Sequence, residues 1–456
     1  MSGTLEDRLV EHLSAVQFDD LPAEAVDAGR KCILDILGVM VAGSRAKDVD
    51  SLIRFLEPSS VPQATVLVYG TRLSAFHAAW VNGAMARAHE LDDSHDATGH
   101  HISVPLMGTA LSVAEIAGPV SGRDLLTAYV LAADLAARMR LAAAHRSGES
   151  GFAANTYAPF MAATLAAKLL GLKGQAMYDA LAWAYTQCAG GLQLQQSGDS
   201  ALHIHHGLAA AEGLQAALMA RHGLPGPDEC LTGRFGFYNA YDGGLPNEEK
   251  LTAELGRRYE ITQVSMKQYP SGRVTHPPIE AAIALRHEHA LDPAEIEEVV
   301  VQYSARGFKM TCEPERERRL PTQPQHAKFS LYYTVACALV RGKVWLDDFT
   351  PEAVADPLVR DVAARIRVEQ HPEWRGMPPG IVTVRLKDGR RLHQEVPLMA
   401  GSVERPFDYA QYADKFRRCV AFAARPLPTS KVEATLDFVA NLESAADICE
   451  LVALLT

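Results

Sequence analysis

The amino-acid sequence predicts a mainly α-helical protein with a second, smaller α+β domain. Residues 1–262 form a succession of Ala-rich and apolar helical segments that Gly and Pro turns separate. Residues 263–405 contain short β-branched runs and a hairpin pattern, and the pattern is helical again from residue 406. We therefore predict an all-helical body formed by both chain ends, residues 1–262 and 406–456, and an α+β lid domain at residues 263–405.

The helical body begins with an amphipathic segment. Thr4 is a suitable N-cap and Asp7 completes a capping-box pattern. The apolar stripe of this helix consists of Leu5, Leu9, Val10 and Leu13. Further helices are predicted at Ala75–Ala88, Val104–Ala117, Arg123–Ala144, Pro159–Leu170 and Leu208–His222. Their many Ala and Gly positions favour close approach of neighbouring helices.

The α+β domain is predicted from β-branched runs. Ile296–Tyr303 and Arg365–Gln370 are candidate strands, and Ile381–Val396 alternates by two around Asp388-Gly389, which predicts a hairpin. Helices are predicted within this domain and after it, at Pro277–His289, Gln325–Arg341, Tyr409–Ala424 and Lys431–Leu442. The last two belong to the returning helical body.

Composition limits the class of protein. The 456 residues are 48% hydrophobic and 22% charged, which excludes a disordered or collagen-like chain. The net charge of −11 argues against a nucleic-acid partner, which would require a basic face. The 7 cysteines are scattered without a CxxC pair, as expected for reduced thiols. With no signal-peptide pattern and no long apolar run, we expect a cytoplasmic protein that does not contact membranes.

The densest polar cluster is His89–His101, between two apolar helices. It contains Glu90, Asp93, Ser94 and His100, residue types that transfer protons near neutral pH once their surroundings shift them. His89 and Asp93 are four apart, as are Glu90 and Ser94, so each pair could share a helical face. The alternative is that the acidic residues cap a helix and the histidines are solvated or hydrogen-bonded.

A second histidine cluster, His203-Ile-His-His206, precedes the helix predicted from Leu208. Its spacing is not specific for a metal, and there is no HExxH, so we predict no metal. Walker and Rossmann glycine patterns are also absent, and Ser330 and Cys188 lack the surroundings of a nucleophile. Covalent catalysis and nucleotide binding are therefore not indicated.

A cationic segment, Lys267–His276, lies where the helical body meets the α+β domain. Lys267 and Arg273 provide charges suited to carboxylates, and Arg273 could bind one through two hydrogen bonds. The alternative is an ordinary turn around Pro270-Ser-Gly272 with exposed charges. Domain junctions often form ligand pockets, which favours the functional interpretation.

Several segments together resemble a known family. They are Asn82–Ser94, His100 with the helix after it, Ser121–Leu125, Ala166–Leu172, His205–Gly223, Lys267–His276, Phe329–Ala336 and Asp414–Phe416. In this order they are similar to the MmgE/PrpD family, which includes 2-methylcitrate dehydratases, cis-aconitate decarboxylases and iminodisuccinate epimerase. The resemblance covers nearly the whole chain.

The resemblance implies cofactor-free chemistry on small polycarboxylates in a cleft between two domains of a homodimer. The family's Asp-x-Asp-Asp-Thr corresponds to Glu90-Leu-Asp-Asp-Ser94, and its Ser-x-x-Tyr to Ser330 and Tyr333. The catalytic candidates are Asp93, Ser94, His100 and Tyr333. The candidates for substrate binding are Glu90, His203, Lys267 and Arg273.

Two departures distinguish this chain from related lyases. Ala153 stands where they carry a histidine, and Leu202 stands where they carry a lysine, with His203 in place of an arginine. Our main hypothesis is a hydro-lyase similar to 2-methylcitrate dehydratase, in which His100 and Asp93 transfer protons. The alternatives are an epimerase of a dicarboxylate such as iminodisuccinate, a cis-aconitate decarboxylase-like enzyme, a metal-dependent hydrolase and a non-catalytic binding protein.

Overall fold

The computed structural model describes residues 3–145, 151–194, 201–374 and 377–456. The chain divides into two compact units. The first, here called the helical unit, comprises Met1–Ala88, Asp92–Val264 and Asp408–Thr456. The second, called the α+β unit, comprises His89–Leu91 and Ser265–Phe407. Within the described ranges, no helix combines the length and apolar character needed to cross a membrane.

The helical unit is built from long helices and a few short ones. The long helices are Leu5–Ala15, Ala23–Gly43, Lys47–Leu56, Ala75–Arg87, Val104–Ala117, Gly122–Ala142, Ala158–Leu169, Gln175–Thr186, Ala201–Arg221, Tyr409–Val420 and Thr429–Ala440. The short helices are Phe237–Tyr241, Glu248–Thr252 and Cys449–Leu454, and the short strands are Ala64–Thr65, Arg72–Leu73 and Ser94–His95. The predicted start of the first helix is confirmed, because Thr4 and Asp7 form a reciprocal capping box.

Glycines allow the central helices to touch through their backbones. Gly207, on helix Ala201–Arg221, lies against helix Ala75–Arg87 so closely that a Cβ there would be 2.2 Å from the Ala84 nitrogen. Gly213, further along the same helix, would meet Ala162 at 2.3 Å. The predicted close approach of small residues is therefore present.

The two chain ends meet inside the helical unit. Asp35, on helix Ala23–Gly43, forms an ion pair of 2.6 Å with Lys415 on helix Tyr409–Val420, and both side chains are buried. A buried carboxylate needs such a partner, because desolvation of an unpaired charge is costly. The prediction that both chain ends form one helical body is confirmed.

The α+β unit contains a four-stranded sheet. Its strands are Ile296–Ser304, Ile366–His371, Gly380–Leu386 and Arg391–Val396. The first is central, parallel to the second on one side and antiparallel to the third on the other, and the third and fourth form the predicted hairpin. The helices of this unit are His276–Glu288, Ala305–Thr311, Glu315–Arg319, Pro324–Lys328, Leu331–Arg341, Pro351–Val354 and Pro357–Ala364.

Most predicted helices agree with the structure to within a few residues at each end, and two differ more. The helix expected from Leu208 already includes Ala201, so the histidine cluster lies within it and not before it. The helix predicted over Gln325–Arg341 is divided at Ser330, whose side chain accepts from the backbone of Tyr333 and caps the second part. All seven cysteines lie in described segments and are free thiols.

Candidate functional site

The predicted proton-transfer cluster follows helix Ala75–Arg87, which ends before it. The proposed helical faces for His89 with Asp93 and for Glu90 with Ser94 are therefore wrong. The segment that includes Ser94 forms a tight hairpin instead, in which the His95 amide donates to the His100 carbonyl at 2.9 Å. Ser94 is buried and is the first residue of the short strand Ser94–His95.

Asp93 points into the core of the helical unit. Its carboxylate accepts hydrogen bonds from the Ser103 amide, at 3.1 Å, and from the Ser103 hydroxyl. Burial, together with the charge of Asp93, raises the pKa of the Cys32 thiol. Burial raises the pKa of Asp93 to about 7, although the Ser103 hydrogen bonds oppose the rise. Asp93 thus fixes the start of helix Val104–Ala117, which Ser103 precedes.

His100 is fully buried, and its ring packs on that of Tyr157 with 5.1 Å between the centroids. The Tyr157 hydroxyl donates to Asp242, and Arg140 lies 3.6 Å from the same carboxylate. Burial raises the pKa of Tyr157 and of Asp242. A phenol with a raised pKa therefore lies beside the imidazole, and its hydroxyl binds a carboxylate whose pKa burial also raises.

The second histidine cluster occupies the first turns of helix Ala201–Arg221. His206 is buried and faces Arg87, whose Nε is 3.2 Å from the His206 Nδ1. His203 is half-buried on the same helix, and Leu202 is buried beside it. In the part of the chain that the structure describes, no three or more His, Cys, Asp or Glu side chains are grouped to hold a metal ion.

Glu90 and Lys267 form a buried ion pair within the α+β unit. The Lys267 Nζ lies 3.1 Å from the Glu90 Oε2, and both side chains are buried. Glu90 has a φ of 54°, in the left-handed region that costs a non-glycine residue about 1 kcal/mol or more. The two predicted substrate-binding residues are therefore brought together, and one of them is held in a strained conformation.

The rest of the cationic segment has internal partners. Arg273 is half-buried and donates to the Met266 carbonyl at 3.1 Å. Ser271 and Thr275 share a hydrogen bond of 2.9 Å across a buried turn. The expected turn is present, but its residues are largely buried and not exposed.

The predicted Ser-x-x-Tyr pair also lies inside the α+β unit. Ser330 caps helix Leu331–Arg341 and donates to the Arg318 carbonyl. The Tyr333 hydroxyl donates to the Asp348 carbonyl, and burial raises the pKa of Tyr333. These contacts use the polar atom of each side chain and favour a structural role.

Neither Asp242 nor Tyr157 is among the candidate residues predicted from the sequence. Asp242 lies in a segment without a recognised motif, 85 positions from Tyr157, and only the fold brings the two together. One signal for Tyr157 was available in the sequence, its position four residues after Ala153, which stands where related lyases carry a histidine. In the structure, Ala154–Tyr157 forms a short helical turn.

Comparison with known proteins gives matches over both units. The model described as the MmgE/PrpD N-terminal domain matches residues 7–250, and the MmgE/PrpD C-terminal domain matches residues 269–444. A cis-aconitate decarboxylase-like protein oryM of Aspergillus oryzae is 26% identical, over 100% of this chain and 98% of its own. The cis-aconitate decarboxylase of Aspergillus terreus is 28% identical, over 96% and 93%. That of Mus musculus is 27% identical, over 93% and 88%.

Proposed function

Because this chain belongs to the MmgE/PrpD family, we propose that it is a lyase that moves a proton next to a carboxylate of a small di- or tricarboxylate. The relatives' names support lyase chemistry on a tricarboxylate. The observation that carries the proposal is the buried His100, held in a tight hairpin and packed on Tyr157. An imidazole gains and loses protons near neutral pH, so it can act as acid and as base.

Decarboxylation of a cis-aconitate-like tricarboxylate is the first candidate. The bond to one carboxylate carbon breaks, carbon dioxide leaves, and the electron pair stays on the neighbouring carbon until the His100 imidazolium protonates it. This reaction needs one proton donor at carbon. That requirement suits a chain in which Ala153 replaces the histidine of related lyases.

Dehydration of a hydroxy-polycarboxylate is the second candidate. It requires a base that takes a proton from carbon and an acid that protonates the departing hydroxyl, which leaves as water. His100 would supply the base. Tyr157 with Asp242 would supply the acid, since burial raises the pKa of the Asp242 carboxyl. The hydrogen bond between Tyr157 and Asp242 is the specific observation that supports dehydration as a second candidate.

The carboxylate-binding candidates of this proposal are Lys267 and Arg273 in the α+β unit and, in the helical unit, His203. Lys267 is already paired with Glu90 at 3.1 Å, so a substrate carboxylate would compete with Glu90 for the same ammonium group. A preorganised cation of this kind stabilises the negative charge that develops next to a carboxylate. Asp93 is assigned the role of fixing the hairpin, since its oxygens bind Ser103 inside the core.

The reaction can be identified by proton NMR in deuterated buffer. The purified protein is incubated with cis-aconitate, 2-methylcitrate, citrate and iminodisuccinate in separate tubes. Release of carbon dioxide with deuterium incorporated in the product indicates decarboxylation, and a new alkene signal from a hydroxy-acid indicates dehydration. Deuterium exchange without a lyase product from any of them would contradict the proposal and favour epimerisation.

The role of His100 is tested by His100→Ala. We expect turnover to fall by about 10²–10⁴-fold, the usual contribution of general acid–base catalysis, while the circular dichroism spectrum stays unchanged. The matched control is His222→Ala, which removes an exposed imidazole at the end of helix Ala201–Arg221. Turnover at the wild-type rate in His100→Ala would rule out the assigned role.

A further inference from the structure

Hydrogen bonds connect four polar side chains of the helical unit: Arg87, Asp92, His101 and His206. His101 directly follows His100 in the sequence. Arg87, the last residue of its helix, lies 3.2 Å from Asp92 through Nη1 and 3.3 Å from the His101 Nε2 through Nη2. The His101 Nδ1 is 2.6 Å from the other Asp92 oxygen. The Arg87 Nε is 3.2 Å from the His206 Nδ1. The chemistry proposed above uses none of these four groups.

The chemistry of the partners fixes the protonation of both rings. A guanidinium only donates and a carboxylate only accepts hydrogen bonds. The His101 Nδ1 facing Asp92 must therefore carry a proton, and the Nε2 facing Arg87 must not. By the same reasoning the His206 Nδ1 accepts from Arg87, and burial together with Arg87 lowers the pKa of His206. Both imidazoles are thus neutral, each in one tautomer.

The same cluster closes the hairpin that carries His100. Three links join its two sides: the side chains of Asp92 and His101, those of Asp93 and Ser103, and the backbones of His95 and His100. The link through Asp92 is also anchored outside the hairpin, by Arg87 on the preceding helix. His100 is immediately next to the residue that this anchor holds.

We infer that Arg87, Asp92 and His101 are positioning residues for His100. The guanidinium donates to the Asp92 carboxylate and to the neutral His101 ring, and these hydrogen bonds fix the place of the His100 backbone in the hairpin. Carboxylate–histidine pairs orient functional imidazoles in this way in other proteins. The inference rests on the proposed function, in which His100 transfers the proton.

The test uses Asp92→Asn in the full-length protein. The asparagine amide presents N–H donors where Arg87 and His101 also donate, so one of the two hydrogen bonds is lost. We expect kcat to fall about 10–100-fold, the usual cost of losing such a partner, with KM changed less than threefold. The matched control is Asp179→Asn, which alters a buried carboxylate elsewhere in the helical unit and leaves kcat unchanged.

A second readout does not depend on turnover. Nitrogen-15 NMR of histidine-labelled protein without substrate reports the tautomer of each ring. The His101 ring of the wild type is expected to be neutral with its proton on Nδ1, and Asp92→Asn should shift the His100 signals. If Asp92→Asn does not fold, Arg87→Lys replaces it, because lysine keeps the charge but cannot donate to three partners in a fixed plane.

The outcomes separate the two proposals. A protonated His101, a proton on its Nε2, or unchanged His100 signals together with unchanged kcat in the variant would overturn the positioning role. Wild-type turnover in His100→Ala would overturn the proposed function instead, and the tautomer of His101 and the His100 signals would still decide whether the cluster positions that ring.

Discussion

The buried Asp93 makes the stability of the protein depend on pH in a way that Asp93→Asn should remove. In the folded protein, burial raises the pKa of this carboxyl from 3.8 to about 7. The unfolded chain returns it to water and to its ordinary pKa. Asparagine has nearly the same shape and still accepts a hydrogen bond from Ser103, but it has no proton to release.

The magnitude follows from the shift of about three pH units in the pKa of Asp93. One unit corresponds to about 1.4 kcal/mol, so the full effect is about 4 kcal/mol. Below pH 3.8 both states carry the proton and the stabilising contribution is complete. Between that pH and about 7 only the folded state keeps the proton, so the free energy of unfolding falls by about 1.4 kcal/mol per unit as the pH rises. Above about pH 7 both states have lost the proton, so Asp93 no longer makes the free energy of unfolding depend on pH.

The assay is urea unfolding at pH 5, 6, 7 and 8, followed by circular dichroism, for the wild type and Asp93→Asn. Between pH 5 and pH 8, the wild type should lose about 3 kcal/mol of unfolding free energy relative to Asp93→Asn. Asp134→Asn is a matched comparison, because burial raises the pKa of Asp134 to about 6 and its slope should end about one unit lower. Parallel curves for the wild type and Asp93→Asn would refute the reasoning.

Two further predictions concern the stability of the helical unit. Gly207→Ala should lower the free energy of unfolding, measured in urea, by about 1–3 kcal/mol, because the new Cβ would lie 2.2 Å from the Ala84 nitrogen. The control is Gly244→Ala, whose Cβ would have its nearest neighbour at 3.9 Å and which should change the free energy of unfolding by less than about 0.5 kcal/mol. Lys415→Met should lower the free energy of unfolding by about 3–5 kcal/mol, because it leaves Asp35 buried without its ammonium partner. The same urea unfolding measures it, and a loss below about 1 kcal/mol would show that Asp35 finds another partner or takes up a proton.

The elements of the fold were predictable where local chemistry decides them. Thr4 and Asp7 cap the first helix as expected, and Asp388-Gly389 turns the hairpin. The start of helix Ala201–Arg221 was missed, because three histidines in its first turns conceal the apolar stripe. Those turns are helical because His206 and Gly207 pack against helix Ala75–Arg87, a tertiary contact that no local pattern contains.

The candidate site was predictable as a set of residue types but not as a set of contacts. The pairing of Glu90 with Lys267 joins positions 177 apart, and that of Tyr157 with Asp242 joins positions 85 apart. Helical spacing within His89–His101 suggested contacts that the hairpin does not make. The hairpin forms because the side chain of Asp93 reaches Ser103 across it, a contact between residues ten apart.

Two adjacent carboxylates show how far identical residue types can diverge. Asp92 accepts hydrogen bonds from the Arg87 guanidinium and the His101 ring, whereas Asp93 accepts them from uncharged groups, the Ser103 amide and hydroxyl. Any pH dependence of activity would therefore have two sources, the proton transfer proposed for His100 and the ionisation of Asp93, whose pKa burial raises to about 7. Asp93→Asn separates them, because an inflection that persists in the variant cannot belong to Asp93. An inflection that disappears would mean that the charge state of the core controls the hairpin, and the pH profile would then report the hairpin and not the proton transfer.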